Sequence, residues 1–270
     1  MGMHHTLAIS FGVMGNIVSF ITFLAPMPTF YKIIKLKSTE GFQSIPYVVS
    51  LLSAMLLMYY GLLKGDMLLI TINAIGCAIE TTYVAAYLLY ASKGARVRTM
   101  MLLASMNVVG YGTMLSMTFI LSKGQSRVGI VGWICMAFSL SVFAAPLCIV
   151  RKVIKTKSVE FMPLSLSVFL TLGAVVWFFY GFLLRDVFIA VPNILGFLFG
   201  VTQMVLYAIY RNKQKLDLEV HELNDLKEEI IDVVKLGAIV CQELNPVLAA
   251  QLKDVAISDA PKGRQDEAPA

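Results

Sequence analysis

The sequence predicts an all-α membrane protein: seven transmembrane helices forming two parallel three-helix bundles, joined by an inversion linker helix in a 3+1+3 order. Three observations carry this reading. Of 270 residues, 58% are hydrophobic and 14% charged, whereas soluble domains are roughly half apolar and about 25% charged. Seven apolar stretches approach the ~20 residues that a spanning helix needs. The chain also nearly repeats itself at an offset of 120 residues. Sliding 9–91 onto 129–211 without a gap pairs Gly12 with Gly132, Ser19 with Ser139, Ala25-Pro26 with Ala145-Pro146 and Lys37-Ser38 with Lys157-Ser158. Further on it pairs Tyr60-Gly61 with Tyr180-Gly181, Asp66 with Asp186, Asn73 with Asn193 and Gly76 with Gly196. A repeat of this length exceeds a solenoid unit and marks a duplicated domain half; many transporters enclose one path between two such halves.

The first stretch, 7–30, is too long for a secretory signal, lacks a basic start and runs into lysines rather than a cleavage site, so it reads as a retained helix. With 45–63 and 67–91 it makes the first repeat, 7–91. The fourth stretch, 100–121, has no partner in the repeat. A unit of three crossings followed directly by its copy would be inverted; one inserted crossing restores the orientation and makes the halves parallel about an axis along the membrane normal. This helix is therefore a linker and is expected to make no substrate contacts. Stretches 129–150, 164–184 and 187–210 make the second repeat, 129–211. The remainder, 212–270, changes character: Leu216, Val220, Leu223, Leu226, Ile230 and Val233 recur every three or four residues among acidic side chains, which predicts an amphipathic helix. Its acidic face argues against an anionic lipid surface. Beyond Lys253 the composition predicts disorder.

Loop charges set the expected orientation. Lysines and arginines follow the first, third, fifth and seventh stretches (Lys32, Lys35 and Lys37; Lys93, Arg96 and Arg98; Arg151, Lys152, Lys155 and Lys157; Arg211, Lys213 and Lys215), while the other loops hold only Lys64, Lys123, Arg127 and Arg185. By the positive-inside rule the amino terminus is extracellular and the carboxyl terminus cytosolic. The net charge of +5 divides into +9 for residues 1–210 and −4 for 211–270, so the basicity reports topology and not nucleic-acid binding. Cys77, Cys135 and Cys148 fall inside helices and Cys241 in the tail, with neither a disulfide framework nor a metal spacing. Enzyme signatures such as a phosphate loop, HExxH, GxSxG or CxxC are absent from the sequence. The expectation is a non-enzymatic protein without cofactor.

Asn73 and Asn193 are the leading candidate ligand residues. A primary amide in hydrocarbon is costly unless hydrogen-bonded, and the repeat places two at matched depth on either side of one cavity, where their donors and acceptors suit sugar hydroxyls; an interhelical hydrogen bond is the competing role. Trp177 lies too deep for the interfacial aromatic belt, and a flat indole stacks on the apolar face of a pyranose. Its partner is Leu57, and Ser53 is partnered by Gly173, so the cavity is expected to be asymmetric. Pro26, Pro46, Pro146 and Pro163 fall at the lysine-rich end, two per half. A proline within a helix removes a hydrogen bond and clashes with the preceding turn, so the four are expected to let helices rock there; the general frequency of proline in membrane helices is the competing explanation. Glu80 is the one acidic residue deep in a predicted helix. It reads as a packed, hydrogen-bonded group or as a proton carrier.

The motifs Leu24-Ala25-Pro26, Lys37-Ser38-Thr39-Glu40-Gly41-Phe42-Gln43-Ser44-Ile45-Pro46, Asn73, Ala144-Ala145-Pro146, Lys157-Ser158-Val159-Glu160-Phe161-Met162-Pro163 and Val191-Pro192-Asn193 resemble the SWEET sugar facilitators of plants over about residues 7–211. The resemblance implies two three-helix bundles and a linker, carrying sugar down its gradient by alternating access without ion or nucleotide. It places the proline tetrad on Pro26, Pro46, Pro146 and Pro163, the central asparagines on Asn73 and Asn193, and further pocket positions on Ser19, Thr22, Ser53, Leu57, Ser139, Val142, Gly173 and Trp177. Related sucrose carriers tend to have tryptophan where this chain has Leu57, and serine where it has Gly173. Small residues at Val142 and Gly173 leave room for a disaccharide, which ranks sucrose ahead of glucose and fructose. The resemblance also implies a plasma-membrane location. Seven short helices leave a narrow lateral shell in the lipid membrane and admit a homo-oligomer. A proton-coupled carrier using Glu80, and a non-transporting seven-helix receptor or scaffold acting through the tail, are the alternatives.

Overall fold

A computed structural model describes residues 2–39, 41–159, 164–211, 223, 225–230 and 232–233. The first span is two helices, α1 (Gly2–Leu24) and α2 (Met27–Leu36), broken at Ala25-Pro26. Then come α3 (Ile45–Lys64) and α4 (Met67–Tyr90). The linker span is α5 (Lys93–Leu102), a stretch of wider π-helical winding (Leu103–Gly110) and α6 (Tyr111–Leu121). The second half opens with another broken span, α7 (Gly124–Val142) and α8 (Ala144–Thr156), followed by α9 (Leu164–Leu183) and α10 (Val187–Arg211). Seven spans are long and apolar enough to cross a membrane, and the described residues contain no strand. Helices and closed barrels are the structures that satisfy every backbone group in hydrocarbon.

Several helices outrun their sequence-predicted limits: His4–Leu36 against 7–30, Lys93–Leu121 against 100–121 and Gly124–Thr156 against 129–150. Hydropathy ended each stretch at its first lysine or arginine, but a long cationic stem lies along a helix while its head reaches water. The extra turns are therefore amphipathic. In α2, Phe30 and Ile33 are buried against Tyr83 and Tyr87 of α4, whereas Lys32 and Lys35 are exposed.

In the first bundle α4 packs against both α1 and α3; in the second, Ser167 and Gln203 join α9 to α10 and Phe143 stacks on Phe199. The bundles meet where α1 packs along α9 and α3 against α7. The first seam depends on Gly12 and Gly15: a Cβ at Gly12 would lie 2.7 Å from the Tyr180 ring, and one at Gly15 2.9 Å from Trp177. Small residues at such places let membrane helices approach closely. The main core cluster, with Leu56, Tyr60, Val131 and Tyr180, lies across both bundles. The linker is fastened along α3 by Ser44–Thr99 at 2.6 Å, Asn107 Nδ2 to the Val48 carbonyl at 3.3 Å and the Tyr111 hydroxyl to the Met55 carbonyl at 3.3 Å.

Residues 212–270 form a separate unit. Within it 225–230 is helical, and Leu226 and Ile230 are exposed. Leu223 and Val233 of the predicted amphipathic segment are also helical and exposed, while Leu216, Val220 and the predicted disorder after Lys253 lie outside the described residues, as does Pro163.

Candidate functional site

A cavity of about 330 Å³ lies between the bundles. Asn73, Ser53, Leu57 and Ser19 line it from the first bundle, and Ser139, Val142, Trp177 and Asn193 from the second. A second cavity of about 300 Å³ adjoins it, sharing Ser19, Trp177 and Asn193 among others, and adds Thr22 and Gly173. The ten binding residues expected from the sequence thus line one or both cavities, whose volumes sit at the lower end of the ~300–1,000 Å³ of small-molecule sites. None of the linker's residues lines either one.

Each central amide is held by its own helix. Asn73 Nδ2 donates to the Leu69 carbonyl at 2.8 Å and Asn193 Nδ2 to the Ile189 carbonyl at 2.7 Å. That bond spends one N–H and fixes the amide, leaving one N–H and the amide oxygen of each for a ligand. Trp177 Nε1 donates to Ser19 Oγ at 2.9 Å, bridging the bundles, and its ring meets Tyr180 edge-on at 5.3 Å. The Thr22 hydroxyl is committed to the Val18 carbonyl at 2.9 Å, so Thr22 presents mainly its methyl. At Gly173 an added Cβ would meet only Val18, at 3.5 Å, so the glycine leaves usable space.

The two bundles are joined at the end where Asp66 and Asp186 lie. Asp66 caps α4 through Leu69 N at 3.1 Å and accepts the Tyr180 hydroxyl at 2.7 and 2.8 Å. Asp186 caps α10 through Phe188 N at 3.0 Å, accepts the Tyr60 hydroxyl at 2.8 Å and pairs with Lys64. Each aspartate therefore anchors its own helix and holds a tyrosine of the opposite bundle. This reciprocal lock was not assigned a role from the sequence. Its signal was there in the matched Tyr60/Tyr180 and Asp66/Asp186, but an aspartate beside a helix start already has a sufficient role as a cap.

At the opposite, lysine-rich end the three described candidate hinge prolines differ. Pro26 stands at the α1–α2 break, and Pro146 lies three residues past the break at Phe143, whose neighbours lose the bond a proline cannot donate. Pro46 occupies the first turn of α3, where no helical bond is lost, so movement there turns α3 as a unit rather than bending it. Glu80 is 4% exposed; its Oε1 accepts from Ser50 Oγ at 2.8 Å, and its Oε2 has no partner among the described residues. Ser50 lines the first cavity, so the carboxyl is one hydroxyl removed from it. The described residues contain no cluster of three or more metal-ligating side chains.

Two duplicated bundles around a polar and aromatic cavity, locked at one end, define an internally repeated membrane carrier. Residues 9–95 and 129–215 each match the family described as "Sugar efflux transporter for intercellular exchange". The bidirectional sugar transporter SWEET15 of Oryza sativa subsp. indica is 48% identical over 284 residues, 97% of this chain and 89% of that one. SWEET13 of Oryza sativa subsp. japonica is 57% identical over 213 residues, 78% and 72% of the two chains. SWEET10 of Arabidopsis thaliana is 50% identical over 248, 91% and 86%. A solved structure of a eukaryotic SWEET transporter superposes with a TM-score of 0.74 at 36% identity, covering 78% of this chain and 100% of that one. The chain belongs to the SWEET family.

Proposed function

We propose that this protein is an energy-independent, bidirectional sugar uniporter working by alternating access, with sucrose preferred and the hexoses glucose and fructose second. The observation that carries the reading is the pairing of Asn73 with Asn193 beside Trp177 in one cavity between two bundles. The free amide groups bind sugar hydroxyls and the indole covers an apolar sugar face, for which it must exchange or share its bond to Ser19. Opening the Tyr60–Asp186 and Tyr180–Asp66 contacts exposes the cavity at one end, and movement about Pro26 and Pro146, with Pro46 and Pro163 as the second pair, exposes it at the other. The basic loops support an amino terminus and aspartate end outside and a carboxyl terminus in the cytosol, and the family resemblance supports the plasma membrane.

Uptake of labelled sucrose and glucose, measured separately in oocytes expressing the chain and followed by efflux of preloaded sugar, tests this. Flux of sucrose in both directions supports the reading; glucose flux alone assigns the site to hexoses; absence of both, with the protein at the surface, refutes it. Asn193→Ala is expected to abolish uptake with surface amount unchanged, and normal uptake by that variant removes the binding-site assignment.

The unpartnered Oε2 of Glu80 motivates a second reading, a proton-coupled carrier in which Ser50 relays the carboxyl to the cavity. Only that reading lets an imposed proton gradient concentrate sugar, so equal uptake with and without the gradient eliminates it. A receptor or scaffold gains no support from the repeat, since seven signalling helices need no duplication; sugar flux retained after deletion of 216–270 limits the tail to regulation.

A further inference from the structure

The two halves are built differently toward the lysine-rich end. In the first, Phe30 stacks on Tyr83 with ring centres 4.4 Å apart and meets Tyr47 edge-on at 4.8 Å, while the Tyr83 hydroxyl donates to the Phe23 carbonyl at 3.0 Å. Three rings fill that interior. At the matched positions, 120 residues on, stand Val150, Ser167 and Gln203, and there the second cavity of about 300 Å³ extends, with Gln203 in its wall. The duplicated half has exchanged an aromatic plug for a hollow carrying a polar pair.

That pair is ordered. Ser167 Oγ donates to Gln203 Oε1 at 3.0 Å, and the two residues are 4% and 8% exposed. The bond orients the amide, and Gln203 lines the cavity, where its Nε2 is left accessible to a ligand. Beside it are Phe169 and the stacked pair Phe143–Phe199, at 5.3 Å. A fixed amide next to aromatic faces offers what a sugar ring presents, hydroxyls at its rim and C–H groups on its faces. Gln203 follows Asn193 by ten residues on one helix, about 15 Å at ~1.5 Å per residue, too far for both amides to hold the same sugar ring.

We infer that the second cavity contains a separate sugar subsite, with Gln203 as its hydrogen-bonding residue, occupied between the asparagine site and the lysine-rich end. The subsite rests on the sugar-carrier reading. It has a kinetic consequence in the direction of flux. Sugar loading from the lysine-rich, cytosolic side fills this subsite as well as the productive one, which lowers the apparent KM for efflux and also lowers its Vmax, because part of the bound sugar is not yet at the asparagines. Loading from the opposite side meets the asparagine site alone. An uncoupled carrier requires equal Vmax/KM in the two directions, so removing the subsite must raise efflux KM and Vmax together.

The test is the concentration dependence of sucrose influx and of efflux of injected sucrose in oocytes, for the unaltered chain and for Gln203→Leu, with Gln203→Asn as a gentler variant that draws the amide back from Ser167. The expected result for Gln203→Leu is a rise of about fivefold in both KM and Vmax of efflux, the worth of one hydrogen bond of ~1 kcal/mol, with influx constants within about twofold of the unaltered chain. Unchanged efflux constants in both variants, at normal surface amount, reduce Ser167–Gln203 to an interhelical bond and overturn the subsite. Equal KM shifts in both directions place Gln203 in the central site and also overturn it. A fall of Vmax in both directions without change in KM marks a structural role. Absence of flux in the unaltered chain is the separate failure, that of the carrier reading itself.

Discussion

At the residue scale, the two halves diverge where a ligand would tell them apart. Leu57 faces the cavity where its counterpart is Trp177, and Gly173 where its counterpart is Ser53. An added Cβ at Gly173 meets nothing closer than Val18 at 3.5 Å, so the Cβ of Gly173→Ser makes only ordinary contact and the change adds a second hydroxyl. The expected outcome is a sucrose uptake KM lowered about fivefold, the value of one ~1 kcal/mol hydrogen bond, with Vmax and surface amount little changed; an unchanged KM means the hydroxyl finds a backbone carbonyl instead, as Thr22 does. The asparagines and Trp177 were legible in the sequence because polar and aromatic groups at the depth of hydrocarbon have few ordinary explanations. Tyr60, Tyr180, Asp66 and Asp186 were not, because each has an ordinary explanation at a helix end. Gln203 was hidden for another reason: its partner Ser167 is 36 residues away, and the clue lay in its mismatch with Tyr83 rather than in a match.

At the element scale, the ends of helices are reused between halves with different residues. Lys37 and Lys157 both end a helix in the left-handed conformation, at φ 51° and 55°. The loops before α4 and α10 also turn left-handed at matched positions, through Gly65 at φ 69° but through Arg185 at φ 56°. A side chain in that region costs about 1 kcal/mol or somewhat more, which glycine avoids. Arg185→Gly is therefore expected to raise the melting temperature of the purified protein by about 2–3 °C, the shift that ~1 kcal/mol gives in a chain of this size, and Gly65→Ala to lower it; a fall for Arg185→Gly would mean that the arginine holds an interaction worth more than the backbone strain. The spans were legible from hydropathy, but the breaks were only partly so. Proline marked the place in the first and fifth spans, yet the break in the fifth lies at Phe143, three residues before Pro146, because the carbonyl and clash that proline disturbs belong to the preceding turn. Pro46 reads the same as Pro146 in sequence, and both stand in the first turn of a helix, but Pro46 opens a span whereas Pro146 lies inside one.

For the whole molecule, the repeat makes the lock at the aspartate end double. The Tyr180–Asp66 contact joins the second bundle to the first, and Tyr60 and Lys64 with Asp186 join the first to the second. These contacts exist only while the bundles are together at that end, so they bias the conformational equilibrium by their whole net energy. Each hydroxyl-to-carboxylate bond contributes about 1.5–3 kcal/mol. Tyr180→Phe keeps the ring that packs against Gly12 and Trp177 and deletes only the donor, and Tyr60→Phe does the same on the other side. Since the closed state alone loses the bond, each variant shifts population toward opening at the aspartate end by about ten- to a hundredfold, and the two shifts add in free energy if the locks act independently. Spin labels at Leu62→Cys and Phe182→Cys, both exposed near that end, with Cys148 and Cys241 replaced, read the separation of the bundles directly. Each tyrosine variant should populate a longer distance and the double variant should make it dominant. An unchanged distance distribution in the double variant would show that core packing between α1 and α9, rather than the duplicated tyrosine–aspartate pairs, holds the passage shut.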